Sequence, residues 1–496
     1  MKNYILAIDQ GTTGTTTSLV DSKGKTVQSV NKEHRQIYPK PGWVEHQPQE
    51  IWSSVLATIQ ACLKKARVQS HQIAAIGITN QRETVVLWDR KSGEPIGNAI
   101  VWQDRRTTEF CQDLKNKKLE SVVKDKTGLV IDPYFSASKI TWMLDRSISI
   151  RKKAEAGTLA CGTIDSFLLW RLSGGQSFKT DVSNASRTQL MDLKSAKWDT
   201  ELLKIFNLPL GLLPDIQPSS GIFGTTRGLK VLPDGIPITG IAGDQQAALF
   251  GQACFEAGES KCTFGTGSFL LMNTGTEMVR SNFGLLTTAA WQLKGQPVHY
   301  ALEGGAFICG AAVQFLRDQM GFIRQASEVE KLAKTTKDSG GVEFVLALSG
   351  LGAPHWDPNA RGLIAGLTRG TTRAQIARAT LEAMALQNAD ILFVMQKDLK
   401  RKMKSVRVDG GAAANNLLMQ MQADYLGVEV VRPKIIETTV AGAAYLAGLG
   451  VGLWIDISEI QKIWKIEKLF APKISERQRQ VRFDSWNLAV QRAGSL

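Results

Sequence analysis

A Gly-Thr turn between two β-type runs occurs twice in this chain, about half its length apart. No other feature constrains the fold as much. The first copy is Asp9-Gln10-Gly11-Thr12-Thr13-Gly14-Thr15, between apolar or β-branched runs at 5–8 and 16–20. The second places Gly265-Thr266-Gly267 inside a similar stretch at 260–272. Glycines let a ligand approach the backbone, and the N–H groups and hydroxyls of such a turn can ring a phosphate. Asp9 ends the first run, where a carboxylate can face Mg²⁺ through its water shell. The turn is not a Walker A loop: no Gly-Lys-Ser/Thr follows, and it leads into a strand. One copy alone reads equally well as an ordinary hairpin. Two copies in two halves predict a duplicated fold with nucleotide held between them.

The length, 496 residues, exceeds what one ordinary core supports, so two domains are expected. The change is predicted near 250–258, giving domains 1–252 and 253–496. Six cysteines are scattered singly with no Cys-x-x-Cys pair, which argues against a disulfide framework or a zinc site. A reducing cytoplasm fits that usage. Met1-Lys2-Asn3 runs directly into a strand and leaves no room for a signal peptide. The uncharged run 438–455 is Gly-dense, and its core is shorter than the roughly 20 residues of a membrane span. It reads as a buried, Gly-packed helix. Net charge is +14, but the basic residues are dispersed. The densest cluster, 400–404, lacks interleaved aromatics and reads as a solvated helix end, so nucleic acid is not indicated.

In chain order, 49–66 is predicted helical, with Ile51, Val55, Ile59 and Leu63 on one face. The apolar run 73–79 is a buried strand ending in Asn80-Gln81-Arg82-Glu83. Ligands gather outside strand carboxyl ends in open α/β sheets, and an acid beside a base can read hydroxyls. A surface ion pair would use the same residues. Trp102-Gln103-Asp104-Arg105-Arg106 ends another strand similarly. The aromatics of 134–144 fall at helical spacing, which by itself indicates core. Asp244 follows the strand 236–242 at a helix start, where the dipole is expected to keep its carboxylate ionised. The stretch 304–318 reads as a glycine-led helix carrying Gly310 and Gln314. Thr372-Arg373-Ala374-Gln375 is a capping box opening a long helix with one apolar stripe. Asp409–Asn416 holds a Gly-rich turn opening a further helix, able to admit part of an adenosine phosphate or to serve as a plain βα turn.

Taken in this order, these stretches resemble the FGGY carbohydrate kinases over essentially the whole chain, and within them the branch acting on glycerol. The resemblance rests on Asp9-Gln10-Gly11-Thr12-Thr13, Thr79-Asn80-Gln81-Arg82-Glu83-Thr84, Ala99 to Thr107, Gly243-Asp244-Gln245-Gln246, Phe264-Gly265-Thr266-Gly267 and Asp409-Gly410-Gly411. It implies an α/β fold of two ribonuclease-H-like (actin-like ATPase) domains around a central cleft. It implies ATP- and Mg²⁺-dependent phosphorylation of glycerol by a cytoplasmic homo-oligomer, a dimer or tetramer. By resemblance, Asp244 is the general base. Arg82, Glu83, Tyr134 and Gln245 hydrogen-bond the triol, and Trp102 and Phe269 wall its carbons. Thr12, Thr13 and Gly14 face the β- and γ-phosphates, with Asp9 toward Mg²⁺ through water. Thr266, Gly310, Gln314, Gly411 and Asn415 contact the nucleotide from the second domain.

The chain departs from the family pattern in two places. Thr16 stands where an arginine near the phosphates is common. The segment 228–235 lacks the Gly-Gly-x-Arg-like loop that binds an allosteric sugar bisphosphate in some members, and the histidine that is phosphorylated in others. Insensitivity to both controls is expected. Alternatives are a kinase of another polyol or sugar, or an actin- or chaperone-like ATPase; the latter would need no polyol pocket.

Overall fold

The structure, a computed structural model, describes residues 3–357 and 359–494. Met1 and Lys2, part of the short lead before the first strand, lie outside the described residues. Two mixed sheets dominate. Among the described residues the first has six strands, in the order Ser220–Thr225, Pro237–Gly243, Ile73–Asn80, Tyr4–Gln10, Gly14–Asp21, Thr26–Glu33. The second has seven: Leu286–Gln292, Val298–Ala306, Ser268–Gly275, Ser260–Phe264, Ser405–Asp409, Glu429–Pro433, Ile466–Phe470.

The two sheets share a plan. In each, a hairpin around the Gly-Thr turn supplies the first two strands, and a parallel strand pairs with the far side of the first. The registers correspond: Asp9 lies opposite Thr16 and beside Thr79, and Thr263 lies opposite Phe269 and beside Asp409. The repeat visible in the sequence is therefore a repeat of topology.

Helix Pro48–Ala66 covers one face of the first sheet with Ile51, Val55, Ile59 and Leu63 buried, as the spacing predicts. The other face is covered by Thr438–Gly450, from far along the chain, which packs against strands of the first sheet and against helix Asp244–Gly251. Asp244–Gly251 in turn touches strands Ser260–Phe264 and Ser268–Gly275 of the second sheet. Two helices thus lie between the sheets, each lent across the middle of the molecule. The approach is close enough to require glycine. A Cβ on Gly442 would fall 1.8 Å from the Ala247 carbonyl oxygen, and one on Gly251 2.0 Å from that of Thr438. No helix among the described residues is long and apolar enough to cross a membrane.

Two expectations change. Gly304 and Gly305 end strand Val298–Ala306, and the helix begins only at Gly310. A Cβ on Gly304 would come within 2.4 Å of the Ile391 side chain, so this glycine admits a helix packed against the sheet, while Gly305 leaves room for the Phe269 ring. That helix, Arg373–Leu399, carries the predicted capping box at Thr372 and Gln375. It is buried on more than one stripe, through Ala377, Leu381 and Leu392 as well as Met384 and Ile391, because it lies between the sheet and outer helices.

Candidate active site

Residues just past the strands of the first sheet meet the second sheet directly: Arg82, after Ile73–Asn80, pairs with Glu303, and Gln245, after Pro237–Gly243, pairs with Lys261, beside a cleft onto which Asp244 stays part-exposed. In the first turn, Gly11 N–H donates to the Gly14 carbonyl at 2.9 Å, and Gln36 Nε2 donates to the Thr12 carbonyl at 2.8 Å. Trp102 Nε1 donates to Thr12 Oγ1 at 2.9 Å, which ties the phosphate turn to the aromatic wall. The Trp102 ring meets Tyr134 edge-on at 5.6 Å and Phe269 at 6.2 Å, so the wall draws on both halves of the chain.

Past strand Ile73–Asn80, Glu83 takes a positive φ of 60°, an uncommon backbone state for a residue with a Cβ. Its carboxylate accepts from Arg187 Nε at 2.6 Å and lies 3.9 Å from Arg82 Nε. Arg82 is held by Glu303 through two bonds of 2.6 and 2.8 Å, lies 3.3 Å from the Asp244 carboxylate, and reaches Tyr134 Oη at 3.4 Å. Arg187 Nη2 donates to Glu303 at 3.0 Å. Two arginines and two glutamates, all at most 3% exposed, thus form a closed network at the cleft floor. Burial raises both glutamates. Arg187 and Arg82 together outweigh it at Glu303 and bring that carboxyl down to about 2, whereas Glu83, with one close donor, stays raised. Desolvation works against charge on Arg82, but Glu303 and Glu83 hold its pKa above the usual value.

Asp244 is the first residue of helix Asp244–Gly251, and its carboxylate accepts from the Gln245 N–H at 2.7 Å. Burial raises its pKa from the ordinary carboxylate value, against Arg82, Lys261 and the Gln245 N–H. Its side chain keeps 29% exposure toward the cleft, so water tempers that rise. Asp9, half-buried at the end of strand Tyr4–Gln10, lies close enough to feel the charge of Asp244. Burial first, then the charges of Asp244 and Glu437, push it up to about 8.

The second-domain residues gather around the second turn. Gly310 N–H donates to the Gly265 carbonyl at 2.9 Å, and Ala311 N–H to that of Thr266 at 3.0 Å. Gly410, at φ 85°, crosses Phe264 so tightly that a Cβ would sit 2.6 Å from its carbonyl oxygen. That crossing brings Gly411 alongside the turn. Asn415 caps helix Asn416–Leu426 by accepting from the Leu418 N–H at 2.9 Å. Gln314 is exposed on helix Gly310–Asp318, just over one turn from Gly310. Thr16 Oγ1 accepts from Asn31 Nδ2 at 2.9 Å. In the 228–235 segment, Asp234 already takes the Gly228 N–H at 2.7 Å.

Arg187, Glu303 and Lys261 belong to the site and escaped the sequence reading. Lys261, buried in strand Ser260–Phe264, donates to Gln245 Oε1 across the cleft. Lys261 and Glu303 were detectable as charges inside buried strands, which require partners. Arg187 follows the one-turn helix Val182–Ala185 and carries no comparable signal. A separate depression of about 890 Å³, lined by Arg90, Phe178, Trp198 and Leu210, contains none of the predicted residues. The buried charge network, not open volume, marks the cleft as the site.

The chain matches known proteins over nearly its whole length. The model of the FGGY family of carbohydrate kinases, N-terminal domain, matches residues 4–251, and that of its C-terminal domain matches residues 260–451. A glycerol kinase of Bdellovibrio bacteriovorus is 60% identical over 492 residues, 99% of either chain. One of Myxococcus xanthus is 56% identical over 491 residues, again 99% of either. The crystal structure of Plasmodium falciparum glycerol kinase with ADP superposes with a TM-score of 0.92 at 38% identity, covering 99% of this chain and 98% of that one.

Proposed function

The chain belongs to the FGGY family of carbohydrate kinases, and from that premise we propose that it transfers the γ-phosphoryl group of ATP to glycerol, giving sn-glycerol 3-phosphate for glycerol catabolism. The observation that carries the reading is the set Asp244, Arg82, Glu83 and Tyr134 around one point of the cleft, beside the wall of Trp102 and Phe269. A carboxylate, a guanidinium and a phenol there offer acceptors and donors to neighbouring hydroxyls, while the rings cover a short carbon chain.

Phosphoryl transfer needs alignment and charge stabilisation more than covalent help. Asp244 faces the cleft and takes the proton of the attacking hydroxyl as the new P–O bond forms. Arg82, Glu83, Tyr134 and Gln245 fix the triol so that one terminal hydroxyl meets Asp244. The turn at Thr12, Thr13 and Gly14 draws charge from the β- and γ-phosphates through its N–H groups and hydroxyls. Thr266, Gly310, Gln314, Gly411 and Asn415 hold the nucleotide from the second domain. Closure of the domains excludes water as a rival acceptor.

The residues fit a hydrated Mg²⁺. Asp9 and Asp244 form an acidic pair whose repulsion a cation relieves. Asp9 would hold the ion through water, as suits Mg²⁺. When bound, the ion neutralises phosphate charge. We place the covalent domain boundary at 252/253, between the two family matches.

The test is ADP formation from ATP with and without glycerol, across a panel of polyols and sugars. Strong dependence on glycerol is expected. Equal turnover without any polyol would indicate an actin- or chaperone-like ATPase instead.

A further inference from the structure

Two of the hydrogen-bonding groups that the first domain presents to the polyol are each held by one charged side chain of the second domain. Arg82 receives Glu303, through two bonds in the plane of its guanidinium. Gln245 receives Lys261 at its amide oxygen. Both second-domain residues are buried, and both sit in the second sheet, in strands Val298–Ala306 and Ser260–Phe264.

The chemistry of each contact fixes an orientation. Arg82 is a long side chain with Asp244 3.3 Å from its Nε. Without Glu303 its two terminal nitrogens keep only the longer contacts to Gln246 Oε1 at 3.3 Å and Tyr134 Oη at 3.4 Å, and the guanidinium can turn further onto Asp244, the group that faces the substrate. A carboxylate gripping both of its terminal nitrogens prevents that, because two parallel bonds set the plane of the fork. Glu303 is also held by Arg187, whose Nη2 donates at 3.0 Å to the same Oε1 that Arg82 Nη2 grips, and Arg187 also grips Glu83. Lys261 has only donors, so the Gln245 atom facing it is the carbonyl oxygen, and the amide NH₂ is left to point elsewhere as a donor. Lys261 is itself anchored on Thr263 Oγ1 at 2.7 Å and the Phe269 carbonyl at 3.3 Å.

We infer that Glu303 and Lys261 are positioning residues for the polyol, so that the first domain reads hydroxyls correctly only while the second domain is docked against it. The inference rests on the glycerol kinase reading above and adds to it a physical link between domain closure and substrate recognition. If the second sheet moves away, Arg82 and Gln245 lose their orientation together.

The test compares wild type with Glu303→Gln, Glu303→Asp and Lys261→Met, after thermal unfolding shows which variants are folded. Glu303→Gln removes the charge with little change of shape. Its KM for glycerol is expected to rise about 10-fold or more, with kcat at saturating glycerol falling less and ADP affinity within about twofold of wild type. Glu303→Asp restores the charge and is expected to recover part of the glycerol KM. Lys261→Met is expected to raise the same KM and provides an independent arm if Glu303→Gln does not fold. A folded variant with unchanged glycerol KM, or one losing ADP and glycerol affinity equally, would overturn the inference while leaving the glycerol kinase reading intact. A wild-type chain indifferent to glycerol would overturn that reading, and this inference with it.

Discussion

Asp244 sits where opposing influences meet. Burial raises its pKa, while Arg82, Lys261 and the Gln245 N–H lower it, and the net direction is upward from 3.8. In the base role proposed for it, the residue works only when deprotonated. Activity therefore rises with pH through its pKa and is lost below it. The acid limb of the kcat/KM profile, which reports the free enzyme, is expected above the ordinary aspartate value. Asp244→Asn keeps the shape and removes the base. Turnover is expected to drop on the order of 10²-fold or more with nucleotide binding retained, measured by steady-state assay and ADP titration. Near-normal turnover would take Asp244 out of that role. The acid–base pair at 82–83 was visible in the sequence as a strand-end motif. Its partners Arg187 and Glu303 lie 104 and 221 residues from the groups they bind, a distance no local pattern spans.

Among the elements, helix Thr438–Gly450 decides most about the shape of the molecule. Its composition reveals a buried, Gly-packed helix, but not which sheet it covers. The packing against Asp244–Gly251 gives a test with an unusual sign. Gly→Ala inside a helix ordinarily stabilises by about 1 kcal/mol. At Gly442 the new Cβ would fall 1.8 Å from the Ala247 carbonyl oxygen, so two helices must separate. Gly442→Ala is expected to destabilise by about 1–3 kcal/mol, seen as a lower thermal midpoint. A raised midpoint would mean that propensity, not contact, governs this helix. Arg373–Leu399 shows the complementary case: local chemistry predicts its cap correctly, and tertiary packing buries it beyond the predicted stripe.

On the scale of the whole molecule, the proposed polyol pocket belongs to neither domain alone. Trp102 and Tyr134 come from the first domain and Phe269 from the second, and Arg82 is fixed by Glu303 across the cleft. A substrate lacking one hydroxyl leaves buried groups unpaired, at a cost of about 1–3 kcal/mol each. Glycerol is therefore expected to exceed 1,2- and 1,3-propanediol in kcat/KM by about 5- to 150-fold, measured side by side. Equal values would show that the pocket does not read hydroxyls. The sequence by itself determined the duplicated hairpin, the strand ends that carry the candidate site residues and, through the ordered motifs, the family. Those are local patterns, set by side-chain periodicity and by the few residues a tight turn or strand end tolerates. Only the tertiary structure decided which sheet takes the helix Thr438–Gly450, which charges neutralise Arg82 and Glu83, and the upward shift at Asp244. Burial and Coulomb interaction depend on distance in space, and the chain brings those groups together only once both sheets have formed.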